Sequence, residues 1–215
     1  SWRRTAARLS VVQVQRSNAL CALCRELEAA GIPYAVVKGL ACRSLYDYGD
    51  MRVSADEDLF IDSRSVKKAL RICGNSGFRI SDRRDGTFLL TDVRKMRIHL
   101  HTRLFPAEYQ ALNRRFADAL QRRCRLETPC GAVYTLGHTD HILYIMAHML
   151  RYFVSSGISI RTACDAAAYI RRWGGAVDWD TVYSILDAAG AGTLFLGVLD
   201  VCRRYLLTSG RAFNC

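Results

Sequence analysis

Apolar residues recur at a helical period from the first turns of the chain. Leu9, Val12, Leu20, Leu23, Leu27 and Ala30 fall on one stripe, which predicts a long helix over Thr5–Ala30 that Gly31 ends. The short apolar run Ile32–Val37 reads as a strand that stops at Lys38-Gly39, and a second helix is expected over Leu40–Tyr46, before a glycine turn at Gly49. Asp56–Ile61 passes from three acidic residues into an apolar run and reads as a strand that becomes buried. Ser63 or Ser65 is placed to cap a third helix running to Cys73, with Gly74-Asn75 closing it. From Gly77 the period changes to two. Phe78–Ile80, Thr87–Thr91 and Lys95–Leu100 read as successive strands, with Asp85-Gly86 as a hairpin turn.

Pro106 then opens a helix expected over Ala107–Arg123, and a short strand is expected near Ala132–Tyr134. The remainder reads as helices, Asp140–Val154, Ile160–Arg172, Trp179–Ala189 and Leu194–Leu207. The order predicts an α/β (α+β) fold, a mixed sheet flanked by helices and followed by a C-terminal helical bundle. The nearest approach to a boundary is Thr128–Thr139, so residues 1–135 are expected to form the α/β core and residues 136–215 a helical subdomain. No internal repeat or low-complexity stretch appears.

Composition narrows the setting. Half of the 215 residues are apolar, enough for a real core, which argues against disorder. No uncharged apolar run reaches the roughly 18 residues of a membrane-spanning helix, so no membrane partner is expected. The segment from Ser1 has no apolar signal core. Because the chain starts without Met and stops abruptly at Cys215, the natural protein is expected to extend further. The nine cysteines are spread through helical stretches, which is the pattern of reduced thiols in a cytoplasmic protein. Cys21-x-x-Cys24 has metal or redox spacing but lies within a helical repeat and has no second pair, so it reads as packing.

The net charge of +11 comes mostly from arginine, since Lys38, Lys67, Lys68 and Lys95 are the only lysines. That surplus either favours a polyanionic partner, namely a nucleoside triphosphate, nucleic acid or an acidic protein, or reflects no more than a genome-wide preference for arginine over lysine. No helix-turn-helix, zinc-finger or RNA-recognition signature is present, so nucleic acid is set aside.

The most informative segment runs from Lys38-Gly39 to Asp56-x-Asp58. Residues two apart on a strand share a face, so Asp56 and Asp58 project together while Glu57 points the other way. Two close carboxylates repel unless a cation sits between them, and Mg²⁺ is commonly held by one or two carboxylates plus substrate phosphates. Alone, Asp-x-Asp at the start of a strand is more often a solvated acidic pair. The strand–Lys38–Gly39–helix junction adds a bare backbone and a helix N-terminus, a combination that suits phosphate.

In this order the motifs resemble a known family. Ala35-Val36-Val37-Lys38-Gly39-Leu40, then Arg52-Val53-Ser54-Ala55-Asp56-Glu57-Asp58-Leu59-Phe60-Ile61, then Ile98-His99-Leu100-His101-Thr102-Arg103-Leu104 are similar to elements of the bacterial uncharacterised nucleotidyltransferase family of the polymerase-β superfamily. Asp140-His141, His148, Gly157–Arg161 and Cys164-Asp165 resemble its later helical elements. The resemblance implies a metal-dependent transfer of a nucleoside monophosphate from a triphosphate, ATP above all, to an acceptor hydroxyl on a small molecule, peptide or protein. Asp56 and Asp58 would hold Mg²⁺ or Mn²⁺; Lys38, Gly39, Arg52 and Ser54 would hold the nucleotide; His101, His148, Arg161 and Asp165 would line the acceptor cleft.

One position departs from the pattern. Active members of the superfamily place a third carboxylate where this chain has His99. His99 and His101 share a strand face and look toward the two aspartates. Three readings follow: His99 is the general base; the Asp/His cluster selects a softer metal such as Mn²⁺ or Zn²⁺; or the site has decayed and the protein binds a nucleotide or partners a biosynthetic enzyme. His141 and His148 share a helix face and read equally as a polar cluster between helices, with Asp165 paired to Arg161 at i,i+4. Tyr134, Tyr144, Tyr152, Phe153 and Tyr169 fall at core spacing and read as packing.

Overall fold

The first apolar stripe forms helix α1 (Trp2–Ala29), which lays Leu20, Leu23 and Leu27 against a sheet with essentially no exposure. The computed structural model describes residues 2–82, 86–93, 95–157 and 159–207. After α1 come β1 (Tyr34–Val36), α2 (Leu40–Arg43), β2 (Glu57–Ile61), α3 (Val66–Asn75), β3 (Arg79–Asp82), β4 (Thr87–Thr91) and β5 (Arg97–His101). Then follow α4 (Gln110–Phe116), β6 (Cys124–Leu126), β7 (Val133–Thr135), α5 (His138–Ser156), α6 (Ile160–Trp173), α7 (Trp179–Ala188) and α8 (Gly192–Val201).

The five-stranded sheet has the order β1-β2-β5-β4-β3, with β2 parallel to β5 and every other pair antiparallel. Strand alternation divides the core in two. Tyr34, Val36, Leu59, Ile61, Ile98 and Leu100 pack on α1 and α3. Ala35, Val37 and Phe60 face the other way and merge with the apolar sides of α4 to α8. β2 is therefore buried on both faces, and the polar residues at its start must be matched by other groups.

The expected elements form, with local differences. The helix anticipated over Ala107–Arg123 breaks into α4 and a 3₁₀ turn at Ala119–Arg122. Asp140 of α5 accepts from Arg115 Nε at 2.5 Å and from Arg122 Nε at 2.8 Å. The break falls between the two arginines that share this one buried carboxylate. β6 is an added strand, too short to carry a periodic signal, and it pairs antiparallel with β7. The last helix ends as a wider turn at Cys202–Leu206. Of the hairpin turn expected at Asp85-Gly86, Asp85 lies outside the described residues, as does Ile158.

The cysteines differ from expectation at one pair: Cys21 is bonded to Cys130, with Cα atoms 6.3 Å apart. The inner face of α1 meets the loop before β7 there, a neighbourhood that sequence separation hides. Cys24 is a free buried thiol, so the Cys-x-x-Cys motif forms no bond of its own. Among the described residues no helix is long and apolar enough to cross a membrane.

Candidate functional site

The alternation at the start of β2 sends Glu57 to one side and Asp58 to the other, as the spacing requires. Glu57 is buried beneath the Lys38-Gly39 turn, where its carboxylate accepts from the Leu40 amide at 2.7 Å and from Arg43 Nη2 at 2.6 Å. Arg43 also donates to Ser54 Oγ at 2.5 Å, to Gln13 Oε1 at 3.2 Å and to Ser17 Oγ at 3.1 Å. This buried network ties α1, α2 and the Ser54–Glu57 segment together. Gly39 sits at φ +54°, and a Cβ there would lie 1.9 Å from Glu57 Oε2. The glycine is thus required by the protein's own carboxylate. Sequence reading missed Gln13, Arg43 and Glu57; the available signal was an acid on the core-facing side of an otherwise apolar strand.

On the opposite face, Asp58 lies beside His99 in the parallel register of β2 and β5. Its Oδ1 is 2.9 Å from His101 Nε2 and 3.6 Å from His99 Nδ1, and Lys38 Nζ is 3.8 Å from Oδ2. Thr87 holds the far side of the His101 ring, its Oγ1 3.2 Å from Nδ1. Burial alone would raise the Asp58 pKa. The hydrogen bond with His101, the nearby His99 imidazole and the Lys38 ammonium outweigh it and hold the carboxyl below the usual carboxylate range. Asp58 Oδ2 is buried and accepts no hydrogen bond among the described residues. Asp56 is half-buried, and His99 Nδ1 is 3.8 Å from its Oδ2, so one imidazole nitrogen faces both aspartates.

Asp58, His99 and His101 each offer one ligand atom, and these atoms lie within 4.8 Å of one another. A buried carboxylate oxygen that accepts no hydrogen bond, with two imidazoles beside the carboxylate, fits a divalent cation that would take the place of the Lys38 ammonium at 3.8 Å. One carboxylate and two imidazoles suit a borderline ion such as Mn²⁺ or Zn²⁺ better than Mg²⁺, which prefers oxygen throughout. Asp56 lies outside that cluster.

A cleft of about 400 Å³ opens between this edge of the sheet and helices α5 and α6. Lys38, Gly39, Arg52, Ser54, Asp56, His148, Arg161 and Asp165 all line it, so the structure brings eight residues singled out in the sequence to one place. Asp165 does not pair with Arg161 as the i,i+4 spacing suggested. It is buried, takes a bidentate pair of bonds from Arg52 Nε (2.7 Å) and Nη2, and accepts from Tyr46 at 2.8 Å. Arg161 instead donates to the Val53 carbonyl at 2.9 Å. The side chain of Ser54 is committed to the Arg43 network.

His141 and His148 separate in role. His141 bridges the Val37 carbonyl and Thr135 Oγ1, each at 3.1 Å, below the turn that carries Lys38. Burial pushes its pKa down to about 4, so the ring is neutral. His148 lines the cleft between the rings of Tyr144 and Tyr152, at 5.7 and 4.8 Å. Burial, reinforced by Lys38, pushes His148 down to about 3. Tyr144 and Tyr169 are core residues, as expected, whereas Tyr152 and Phe153 are exposed.

The sequence model of the family described as uncharacterised nucleotidyltransferase matches residues 1–206. Among solved structures, the antibiotic-resistance factor ANT(2'')-Ia in solution is similar at a TM-score of 0.57 and 14% identity, over 89% of this chain and 98% of that one. An antigenic nucleotidyltransferase-like protein from Paracoccidioides brasiliensis is similar at a TM-score of 0.50 and 16% identity, over 92% of this chain and 90% of that one. At these identities the likeness is one of fold. No curated protein sequence matches the chain.

Proposed function

The chain belongs to the uncharacterised nucleotidyltransferase family, and we propose that its cleft transfers a nucleoside monophosphate from a nucleoside triphosphate to an acceptor hydroxyl. The observation that carries this reading is Asp58: a buried carboxylate with one oxygen that accepts no hydrogen bond, set among Lys38, His99 and His101, where Lys38 and the neighbouring Asp56 line the cleft of about 400 Å³. Asp58 is the shared ligand of two donor sets. With Asp56 it makes an oxygen set that suits Mg²⁺; with His99 and His101 it makes a mixed set that suits Mn²⁺ or Zn²⁺. When bound, the cation neutralises phosphate charge and polarises the phosphoryl group.

The chain's own residues supply position and charge. Lys38 faces the phosphates from beside the glycine turn, and Arg52 is held rigidly by Asp165, which suits stabilisation of developing negative charge. In the reaction the acceptor oxygen bonds to the α-phosphorus. The bond from that phosphorus to the bridging oxygen breaks, and pyrophosphate leaves with the electron pair. In the oxygen set, His99 takes the acceptor proton: with Nδ1–H directed at the aspartates, Nε2 is the basic nitrogen. ATP is the expected donor, and the acceptor is a small molecule, peptide or protein hydroxyl.

Calorimetric titration with ATP and GTP in Mg²⁺, Mn²⁺ and EDTA tests the reading. Binding is expected to be much tighter with a divalent cation than in EDTA, and that gain is lost in Asp58→Asn; equal affinity in EDTA, or an unchanged gain in the variant, refutes it. A second reading rests on His99 standing where a third carboxylate is expected: a nucleotide-binding protein without transfer activity, or a partner of a biosynthetic enzyme. It is supported if metal-dependent binding occurs without transfer and if His99→Asp acquires activity.

A further inference from the structure

The N-terminus of α6 opens on the same cleft and is arranged for an anion. The helix runs 14 residues from Ile160; Ser159 at its N-cap makes no side-chain capping bond, and the first turn carries no acidic residue. The leading amides of a helix have no intrahelical acceptors and present a partial positive charge. Arg161 lies in that first turn, with one nitrogen fixed on the Val53 carbonyl. A second, independent group points to a ligand. The Arg52 side chain is 7% exposed, and Asp165 takes its Nε and Nη2. Its Nη1 is nevertheless buried with no acceptor among the described residues.

A buried charged donor left unmatched is costly, and Arg52 lines the cleft, where an incoming acceptor would match it. Ser159 and Thr162 line the cleft with Arg52 and Arg161. The carboxylate of Asp165 is already matched by Arg52 and Tyr46 and so does not oppose an incoming anion.

We propose that the start of α6, with Arg52, Arg161, Ser159 and Thr162, is an oxyanion seat for the terminal phosphates of the triphosphate or for a phosphate or carboxylate on the acceptor. Guanidinium forks and helix amides recognise both groups through the same planar donor geometry. The inference rests on the cleft being the substrate site, as proposed above. It narrows the chemistry to substrates that carry an oxyanion outside the metal-binding cluster.

The test is calorimetric titration of inorganic pyrophosphate in EDTA, which keeps divalent cations out. Pyrophosphate is expected to bind the full chain, and Arg161→Gln to weaken it roughly tenfold or more. Arg52→Lys keeps the charge beside Asp165 but removes the forked donor, and is expected to act in the same direction. Asp58→Asn is expected to leave pyrophosphate binding in place. No binding in EDTA, or binding that survives both arginine substitutions, overturns the proposal; general attraction to a chain of charge +11 gives the second result.

ATP and AMP titrated with Mn²⁺ assign the source. Weaker ATP with unchanged AMP in Arg161→Gln places the triphosphate tail in the seat. Unchanged ATP and AMP, with pyrophosphate in EDTA still weakened, place the acceptor's anion there. Loss of metal-dependent ATP binding while pyrophosphate still binds in EDTA refutes only the transferase reading.

Discussion

Gly39→Ala isolates the contact on which the phosphate-facing turn is built. Gly39 has φ +54° and ψ −107°, a region that residues with a Cβ rarely enter, so the backbone change alone costs about 1–3 kcal/mol. The new Cβ also lies 1.9 Å from Glu57 Oε2. The carboxylate must then leave the Leu40 amide or Arg43, and losing a charge-assisted bond costs roughly 1.5–3 kcal/mol. Together these predict a loss of about 2.5–6 kcal/mol, a large share of the roughly 5–15 kcal/mol that holds a typical domain together. Gly31 provides the control, because it also has a positive φ (+68°) but nothing within 4 Å of a built Cβ. Gly31→Ala is expected to show only the backbone cost, about 1–2 kcal/mol.

Urea denaturation of both variants measures the difference. The same Gly39→Ala change is then made where Arg43→Met and Glu57→Ala have removed both buried charges. There its cost should fall by about 2 kcal/mol, the coupling of the clash to the ion pair. If Gly39→Ala costs the same in both backgrounds, or no more than Gly31→Ala, then Glu57 does not dictate the glycine.

Asp165→Asn leaves Arg52 buried without its carboxylate and is expected to cost about 3–5 kcal/mol, whereas Arg52→Met with Asp165→Leu recovers most of it; urea midpoints that rank the two the other way refute the clamp. Acid should weaken the fold through His141, whose pKa falls from 6.5 to about 4 on burial. The unfolded chain binds the extra proton between those values, so the stabilisation is complete above about pH 6.5 and lost progressively as the pH drops toward 4, by about 3 kcal/mol in all. His148 adds to the loss in the same direction. Stability curves at pH 7, 6, 5 and 4.5 should therefore flatten in His141→Gln, and an unchanged slope removes His141 from the account.

Much of the architecture was readable in order along the chain, because periodicity is a local property. The stripe of Leu20, Leu23 and Leu27 specified a buried helix, and the alternation of Asp56, Glu57 and Asp58 specified which carboxylates share a face. The resemblance carried by Lys38-Gly39, the aspartates and the strand that continues through His101 to Leu104 led to the family. Local pattern fails where short elements answer to distant groups. Arg115 and Arg122 sit in a continuous helical signal, yet the helix breaks between them and both bond to the distant Asp140. Cys130 has no local mark of a bond to Cys21.

The site divides in the same way. Residue types and spacing alone determined that Asp56 and Asp58 project together, that His99 and His101 face them, and that Lys38-Gly39 makes a turn. Tertiary structure decided what each charge is for. Glu57 supports the glycine from below because Arg43 and the Leu40 amide converge on it from α2. Asp165 holds Arg52 instead of Arg161, since folding brings the segment after α2 against α6. His148 enters the cleft while His141 anchors the Val37 carbonyl, because they lie at different depths on one helix face. Strand and helix periods fix the direction of a side chain relative to its own element. Which partner it meets depends on long-range packing, where burial penalises every unmatched polar atom, and one sequence window does not contain that information.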